Sequence, residues 1–324
     1  MEISDDSIDG LLLALYKELE KGPGRNEGGT RGPSTELIGV TLRLSNPRAR
    51  ISRSENRGRP FSAIGELLWY LSKSDALEFI KPYVPKYEDE AEGGILPGAY
   101  GPRLFGMREI DQVANICDLL KRKPSSKRAV IQLFNAEDLV GEKKEIPCTT
   151  TLQFHLRDKV LHMSVSMRSN DAFFGMPHDV FCFTMIHELI ASYLNAKLGE
   201  YIHHAGSMHV YDKFMHLVKS YVEEGYHKLD PMPAMPQGDP FPAVQLLIDA
   251  EERIRNEEWV NADQYSSDKY WSDIIRMIQA FWAAGDSDKI AELLNQVNDP
   301  VYSKYIKRRI NVSSPISTDK DENS

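Results

Sequence analysis

Cysteine is scarce in this chain: Cys117, Cys148 and Cys182 are the only three, and no two stand in CxxC spacing. That excludes a disulfide framework and a zinc ribbon, and it fits a reducing compartment. Apolar runs long enough to cross a bilayer are missing, as is a basic-then-apolar leader. A soluble, cytoplasmic protein with no membrane contact is therefore expected. A strongly basic balance is missing too. The net charge of −9 argues against a nucleic-acid partner, although it permits a local basic pocket for one small anion. Metal-ligand spacing is likewise absent. His187-Glu188 opens HELIA without the second histidine of HExxH, and His203-His204 has no Cys or carboxylate in register, so no metal is expected. Between Trp69 and Trp259 there is no tryptophan. What the 324 residues do carry is enough apolar content, 41%, for a full-sized core in one or two domains.

The most informative stretch is Pro147-Cys148 and the segment after it, TTLQFHLRDKVLHMSVSMRSND. Leu152, Phe154 and Leu156 alternate on a first β segment, and Leu161, Met163 and Val165 do so on a second. Arg157-Asp158-Lys159 supplies the hairpin bend. Arg168-Ser169 closes the second segment. A lone cysteine beside a strand is ordinarily a small buried apolar residue. A guanidinium close to it changes that reading, because it can hold a phosphate and favour the thiolate, the nucleophilic form.

Along the rest of the chain, Asp5-Asp6-Ser7 caps an amphipathic helix, SIDGLLLALYKELEKG, that ends at Gly22-Pro23-Gly24. The Gly-rich RNEGGTRGPS precedes a strand, LIGVTLRL, and a basic linker, NPRARISRSENRGRP. Ala63 to Ser72 reads as a helix with Glu66 near its start among apolar neighbours. Residues 81 to 98 read as irregular, 111 to 121 as a helix, and KPSSK as a turn before the strand RAVIQLF. Phe181 to Leu198 is expected to be one long amphipathic helix. From Pro240 on, three apolar-striped helices lead to YSKYIKRRI and a polar terminus. The expected divisions are an N-terminal helix (1–24), a catalytic domain (25–237), a helical C-terminal extension (238–312) and a disordered tail (313–324).

An ordered set of motifs runs through this frame: Glu66-Leu67-Leu68-Trp69-Tyr70-Leu71, Gly98-Ala99-Tyr100-Gly101, Pro147-Cys148, Gln153-Phe154, Arg168-Ser169-x-Asp171, Gly175-x-Pro177 and Gly206-x-x-His209-x-Tyr211. The set resembles the folate-dependent thymidylate synthase family, from about residue 25 to about residue 215. The resemblance implies an α+β fold with a large mixed sheet and flanking helices, here with a C-terminal helical extension. It implies a homodimer built on a face of that sheet. It also implies a pyrimidine nucleoside monophosphate as substrate and 5,10-methylenetetrahydrofolate as co-substrate.

Residue by residue, the resemblance makes Cys148 the nucleophile that adds to C6 of the pyrimidine, so that C5 can attack a one-carbon unit. Glu66 would hold a water and manage protons, its carboxyl raised in pKa by apolar surroundings. Tyr100 would assist proton removal from C5. Arg168 and Ser169 would hold the 5′-phosphate, with Lys127 and Arg128 donated by the partner chain. Lys127 stands where relatives carry arginine; it keeps the charge and loses the bidentate fork. Arg31, or less aptly Arg25, would close a mobile loop over the phosphate. His209 and Tyr211 would bond the sugar hydroxyl. Asp171 would face the pterin, and Gly175 belongs to the same folate-binding side. Asn56 and Arg57 fall where relatives bind the folate tail with a lysine.

Three departures sharpen the expectation. The family's Pro-Phe-Asn is Pro177-His178-Asp179 here. An asparagine reads uracil by donating to O4 and accepting from N3–H; cytosine reverses that pattern with an amino donor and a bare N3. A carboxyl at Asp179 can accept from the amino group and, when protonated, donate to N3, so it points to a cytidylate. The tryptophan that packs against the folate in methylating synthases is missing, and so is their short apolar C-terminus. Water could then reach the one-carbon unit where those enzymes deliver hydride. The site pattern is similar to the (deoxy)cytidylate 5-hydroxymethylases, with CMP or dCMP as substrate. Methyl transfer to dUMP or a cytidylate, or a catalytically silent nucleotide-binding scaffold, are the rival readings.

Overall fold

The computed structural model describes residues 1–22, 24–28, 32–54 and 60–312. Arg31, Asn56, Arg57 and the terminus 313–324 lie outside the described residues.

Strand β1 (Glu2–Asp5) leads into α1 (Ile8–Glu20), where the Ser7 side chain accepts from the Gly10 N–H and caps the helix as expected. A short β2 (Arg25–Asn26) precedes the long β3 (Ser34–Leu44). Helix α2 (Pro60–Leu71) is buried on nearly every side. Helix α3 (Leu77–Ile80) precedes the Pro- and Glu-rich segment, in which Pro85–Glu90 form a 3-10 turn. Then come α4 (Tyr100–Phe105), α5 (Gln112–Arg122), β4 (Val130–Gln132), β5 (Thr149–Arg157) and β6 (Val160–Asp171). Asp158 and Lys159, both at positive φ, make the two-residue bend between β5 and β6. Helix α6 (Gly175–Tyr193), β7 (Lys197–Tyr211) and α7 (Met215–Glu224) follow. The chain continues through α8 (Phe241–Arg255), α9 (Ala262–Tyr265), α10 (Lys269–Trp282), α11 (Ser287–Gln296) and α12 (Ser303–Arg308).

The sheet runs β1-β3-β7-β6-β5-β4, with β2 hung on β3. Pairs β1/β3 and β6/β7 are parallel and the other pairs are antiparallel, which is the large mixed sheet with flanking helices that the sequence led us to expect. Leu152, Phe154, Leu161, Met163, Val165 and Tyr201 point to one face and are fully buried. Helix α6 packs on that face, against β6 and β7. Among the described residues no helix is long and apolar enough to cross a membrane.

Three sequence expectations need correction. The helix expected from Phe181 to Leu198 instead begins at Gly175 and ends at Tyr193, so His178 and Asp179 lie in its first turns. Asp171 starts it early: its Oδ1 accepts from the N–H groups of Phe173 and Phe174 at 2.9 and 3.0 Å. Proline at position 177 is tolerated there because first-turn N–H groups have no helical acceptor. The helix is also buried along almost its whole length rather than amphipathic. Second, residues 197–211, whose first two the expected helix included, form a strand. Its buried positions include Gly199, His203 and Ala205, which hide the period of two from an apolar count. Third, Glu66 stands nearly two turns inside α2, not near its start, so the helix dipole offers it little.

The C-terminal helices share one continuous apolar cluster with the rest of the chain, from Ile8 of α1 to Ile306 of α12. They pack behind α2. Tyr83 stacks on Phe281 at 4.5 Å, donates to Glu251 Oε1 at 2.6 Å and accepts from Trp282 Nε1 at 3.0 Å. Gly65 of α2 makes room for this, since a Cβ there would stand 2.1 Å from the Tyr83 ring. Tyr305 reaches over to donate to the Ser52 carbonyl at 2.8 Å.

On the buried flank of α6, His187 Nε2 bonds the Leu161 carbonyl at 2.8 Å, and burial pushes its ring down to about 3. Glu188 pairs with the fully buried Arg50 and accepts from the Met235 N–H at 3.1 Å. Removing one member of a buried ion pair strands the other charge without water. Glu188→Ala should therefore cost about 3–5 kcal/mol in urea unfolding. A loss under about 1 kcal/mol would show that Arg50 finds water or another acceptor.

Candidate active site

Cys148 immediately precedes β5, and Arg168 lies near the end of β6, the strand paired with it. The Arg168 N–H donates to the Cys148 carbonyl at 2.8 Å. Its guanidinium donates to the carbonyls of Pro147 and Ile146 at 2.9 and 2.8 Å and comes within 3.8 Å of the Cys148 sulfur. One arginine thus holds the loop that carries the cysteine and places positive charge where a thiolate would need it. Gly206 lets β7 come close on the other side, because a Cβ there would stand 2.9 Å from the Arg168 carbonyl oxygen.

Glu66 sits in a cradle of polar side chains rather than apolar ones. Its Oε1 accepts from the hydroxyls of Tyr70 and Tyr87 at 3.0 and 2.6 Å, and its Oε2 lies 2.9 Å from His178 Nδ1. Ser62 contacts the other ring nitrogen of His178 at 3.0 Å. Burial is the largest single influence on the carboxyl and acts to raise it. The hydrogen bond and attraction from His178, joined by the two tyrosines, outweigh burial and hold Glu66 below the usual carboxylate range. The raised value expected from the sequence is therefore corrected: three donors stabilise the carboxylate more than desolvation penalises it.

Asp179 shows the opposite balance. Burial, followed by the nearby charge of Glu66, pushes it well above the carboxylate range, and the single donor Asn170 Nδ2, 2.7 Å from Oδ2, does not reverse this. Tyr100 stands near both Asp179 and Cys148. Burial first, then those two charges, raise its phenol well above the ordinary value, so it works as a neutral hydrogen-bonding group. Its oxygen accepts from the Thr149 N–H at 3.1 Å, and its ring packs between Tyr70 and Phe183.

At the far end of β6 and β7, Asp171 pairs in register with His209, and Ser169 with Ser207. His209 and Tyr211 meet edge to face with centroids 5.1 Å apart. Gly175 opens α6 beside Asn170 and Asp179. Arg25 on β2 reaches back to this end and donates to Asp212 at 2.8 Å, while also bonding Glu27. Arg31, the favoured loop arginine, lies outside the described residues. Lys127 and Arg128 are exposed at the start of β4, where the Lys127 carbonyl accepts from Gln153. That is about 17 Å along β5 from Cys148 at 3.3–3.4 Å per residue, so they do not belong to this chain's own cleft.

Asn170, His178, Tyr87 and Tyr70 are the members that sequence reasoning missed. Two signals were present: a polar Asn between Ser169 and Asp171, and a histidine where the resemblance expects phenylalanine.

A cysteine held beside a guanidinium, a neutral phenol and two carboxyls of opposite character suit nucleophilic addition coupled to proton transfer. A family model described as thymidylate synthase matches residues 29–238. A thymidylate synthase of Buchnera aphidicola subsp. Baizongia pistaciae is 30% identical over 222 residues, covering 65% of this chain and 82% of that protein. A thymidylate synthase of Bacillus phage phi3T is 33% identical over 204 residues, covering 60% of this chain and 72% of that one. The chain belongs to the thymidylate synthase family. It is an enzyme of that family, whose members carry out folate-dependent one-carbon modification at C5 of a pyrimidine nucleotide.

The raised pKa of Asp179 has a stability consequence. In the unfolded chain an aspartate ionises near pH 3.9, whereas the folded chain keeps this proton to higher pH. The native state then binds more protons than the unfolded state, so stability falls as pH rises between the two values. Asp179→Asn should unfold like the wild type below about pH 4 and become progressively more stable than it above that. Urea titrations at several pH values check this; parallel curves for the two chains would show that Asp179 is not pKa-shifted.

Proposed function

We propose that this protein is a folate-dependent cytidylate 5-hydroxymethylase acting on CMP or dCMP. The observation that carries the reading is Asp179, on the first turns of α6, with Oδ2 bonded to Asn170 and with burial favouring its neutral acid. A neutral carboxyl presents one donor and one acceptor, the complement of cytosine N3 and its amino group. With the proton on the oxygen that faces N3, uracil would set its O4 against the acceptor and its N3–H against the donor, leaving buried groups unpaired.

In the proposed reaction the Cys148 sulfur bonds to C6, which makes C5 the nucleophile. Arg168 and Ser169 hold the 5′-phosphate, and His209 and Tyr211 hold the sugar. In a homodimer Lys127 and Arg128 would serve the partner's phosphate, which their exposed position far from this chain's own cleft supports. Bound 5,10-methylenetetrahydrofolate would supply the one-carbon unit at the oxidation level of formaldehyde. Asp171 suits its pterin, because Oδ1 is taken by the Phe173 and Phe174 N–H groups while Oδ2 makes no hydrogen bond among the described residues. Tyr100 and Glu66 escort the C5 proton. As the carbon joins C5 its bond to the folate nitrogen would break and tetrahydrofolate would leave; a water then adds to the exocyclic carbon, one of its protons is released, and the sulfur leaves C6. The polar cradle of Glu66, His178, Tyr70 and Tyr87 supports water as the final reactant, since each of these groups can orient one.

Tritium release from C5-labelled CMP, dCMP and dUMP, read together with product mass, tests the reading. The wild type should release label from a cytidylate and give a product one oxygen heavier than the methylated base, while Cys148→Ala releases none. Asp179→Asn should shift the preference toward dUMP by about a hundredfold or more. A methylated product accompanied by dihydrofolate absorbance would replace hydroxymethylation with methyl transfer. No label released from any nucleotide would leave a silent nucleotide-binding scaffold.

A further inference from the structure

Behind Asp179 runs a line of buried polar groups that the proposed reaction does not use. Asn170 Nδ2 is 2.7 Å from Asp179 Oδ2, His203 Nε2 is 2.9 Å from Asn170 Oδ1, and the Tyr201 hydroxyl is 2.8 Å from His203 Nδ1. Asn170, His203 and Tyr201 are at most 3% exposed. Gly175 leaves room beside the amide, since a Cβ there would stand 3.3 Å from Asn170 Nδ2.

Hydrogen bonds in such a line must all point the same way, and the tyrosine end decides which way. A buried hydroxyl hydrogen needs an acceptor, and among the described residues His203 Nδ1 is the one Tyr201 has. Tyr201 therefore donates, and Nδ1 is bare. Burial pushes His203 down to about 3, so the ring is neutral and carries its proton on Nε2. That N–H donates to Asn170 Oδ1, which turns the amide NH2 toward Asp179. Oδ2 must then accept, and because a carbonyl oxygen accepts better than a hydroxyl oxygen, the Asp179 proton is favoured on Oδ1.

We propose that Asn170, His203 and Tyr201 are positioning residues that confine the Asp179 proton to the oxygen Asn170 leaves free, and thereby set the choice of cytosine over uracil. The proposal rests on the base-reading role of Asp179 given above. With the proton on Oδ1, that oxygen donates to cytosine N3, and Oδ2 has a second lone pair for the amino group. Uracil meets two clashes, N3–H against O–H and O4 against Oδ2. If the line ran the other way, Oδ2 would carry the proton toward Asn170, Oδ1 would be an acceptor, and N3–H of uracil would be welcome.

The test uses the full-length chain. Nitrogen-15 spectra of the nine histidines, with His203 identified by its loss in His203→Gln, should show His203 protonated on Nε2. A ring protonated on Nδ1 would overturn the proposal. Calorimetric titration with CMP, dCMP and dUMP gives the ratio of uridylate to cytidylate dissociation constants. Tyr201→Phe, which removes the anchoring hydroxyl and touches no ligand, should lower that ratio about tenfold. Asn170→Leu should lower it at least as far; Tyr201→Phe is the smaller change and decides the matter if that chain does not fold. An unchanged ratio in Tyr201→Phe sinks the relay alone. An unchanged ratio in Asp179→Asn sinks the base-reading role itself, so the two failures are distinguishable.

Discussion

Strand β6 has two partners of opposite sense, and their registers together decide which side chains meet. Antiparallel to β5, it sets Met167 opposite Thr149, which brings Arg168 beside Cys148. Parallel to β7, it sets Ser169 beside Ser207 and Asp171 beside His209. Side chains alternate along a strand with a period of two, so a slip of one residue would turn the whole set to the opposite face. The buried apolar positions of β5 and β6 prevent that slip, because it would expose Leu152, Phe154, Met163 and Val165 to water at roughly 1.5–3 kcal/mol for each large side chain. The same burial that stabilises the sheet therefore aligns the cleft.

Within that cleft two carboxyls share burial from water and respond to it in opposite ways. Glu66 gathers three donors and stays below the carboxylate range; Asp179 has one donor and a negative neighbour and rises above it. The difference is a count of hydrogen bonds set against a common desolvation penalty. Such a separation gives one group suited to holding charge and another suited to remaining a neutral acid, as acid–base chemistry at one pH requires.

The C-terminal helices bear on this site through α2, the helix that carries Glu66. Tyr83 joins the two regions by stacking on Phe281 and bonding Glu251, with Gly65 of α2 directly beneath the ring. Displacing α8 or α10 would release the outer face of α2. Interiors this tightly packed pass such a shift along rather than absorb it.

Much of the fold was legible because local chemistry and apolar period agreed. Ser7 at a helix start, the alternation on either side of Asp158-Lys159, and the striped helices after Pro240 all form as read. Strand β7 was not legible, since its inward positions hold glycine, histidine and alanine. The start of α6 was not either, because Gly175 and Pro177 read locally as loop residues. The sequence by itself determined the family, the order of the motifs and the residue types gathered at the cleft. Only the tertiary structure decided that Glu66 would be the ionised carboxyl and Asp179 the raised one. The donors that hold Glu66 down, His178 and Tyr87, lie 112 and 21 residues from it, and Asn170, the one donor to Asp179, lies 9 residues away. A pKa is set by what stands within a few ångströms, and distance along the chain carries no record of that.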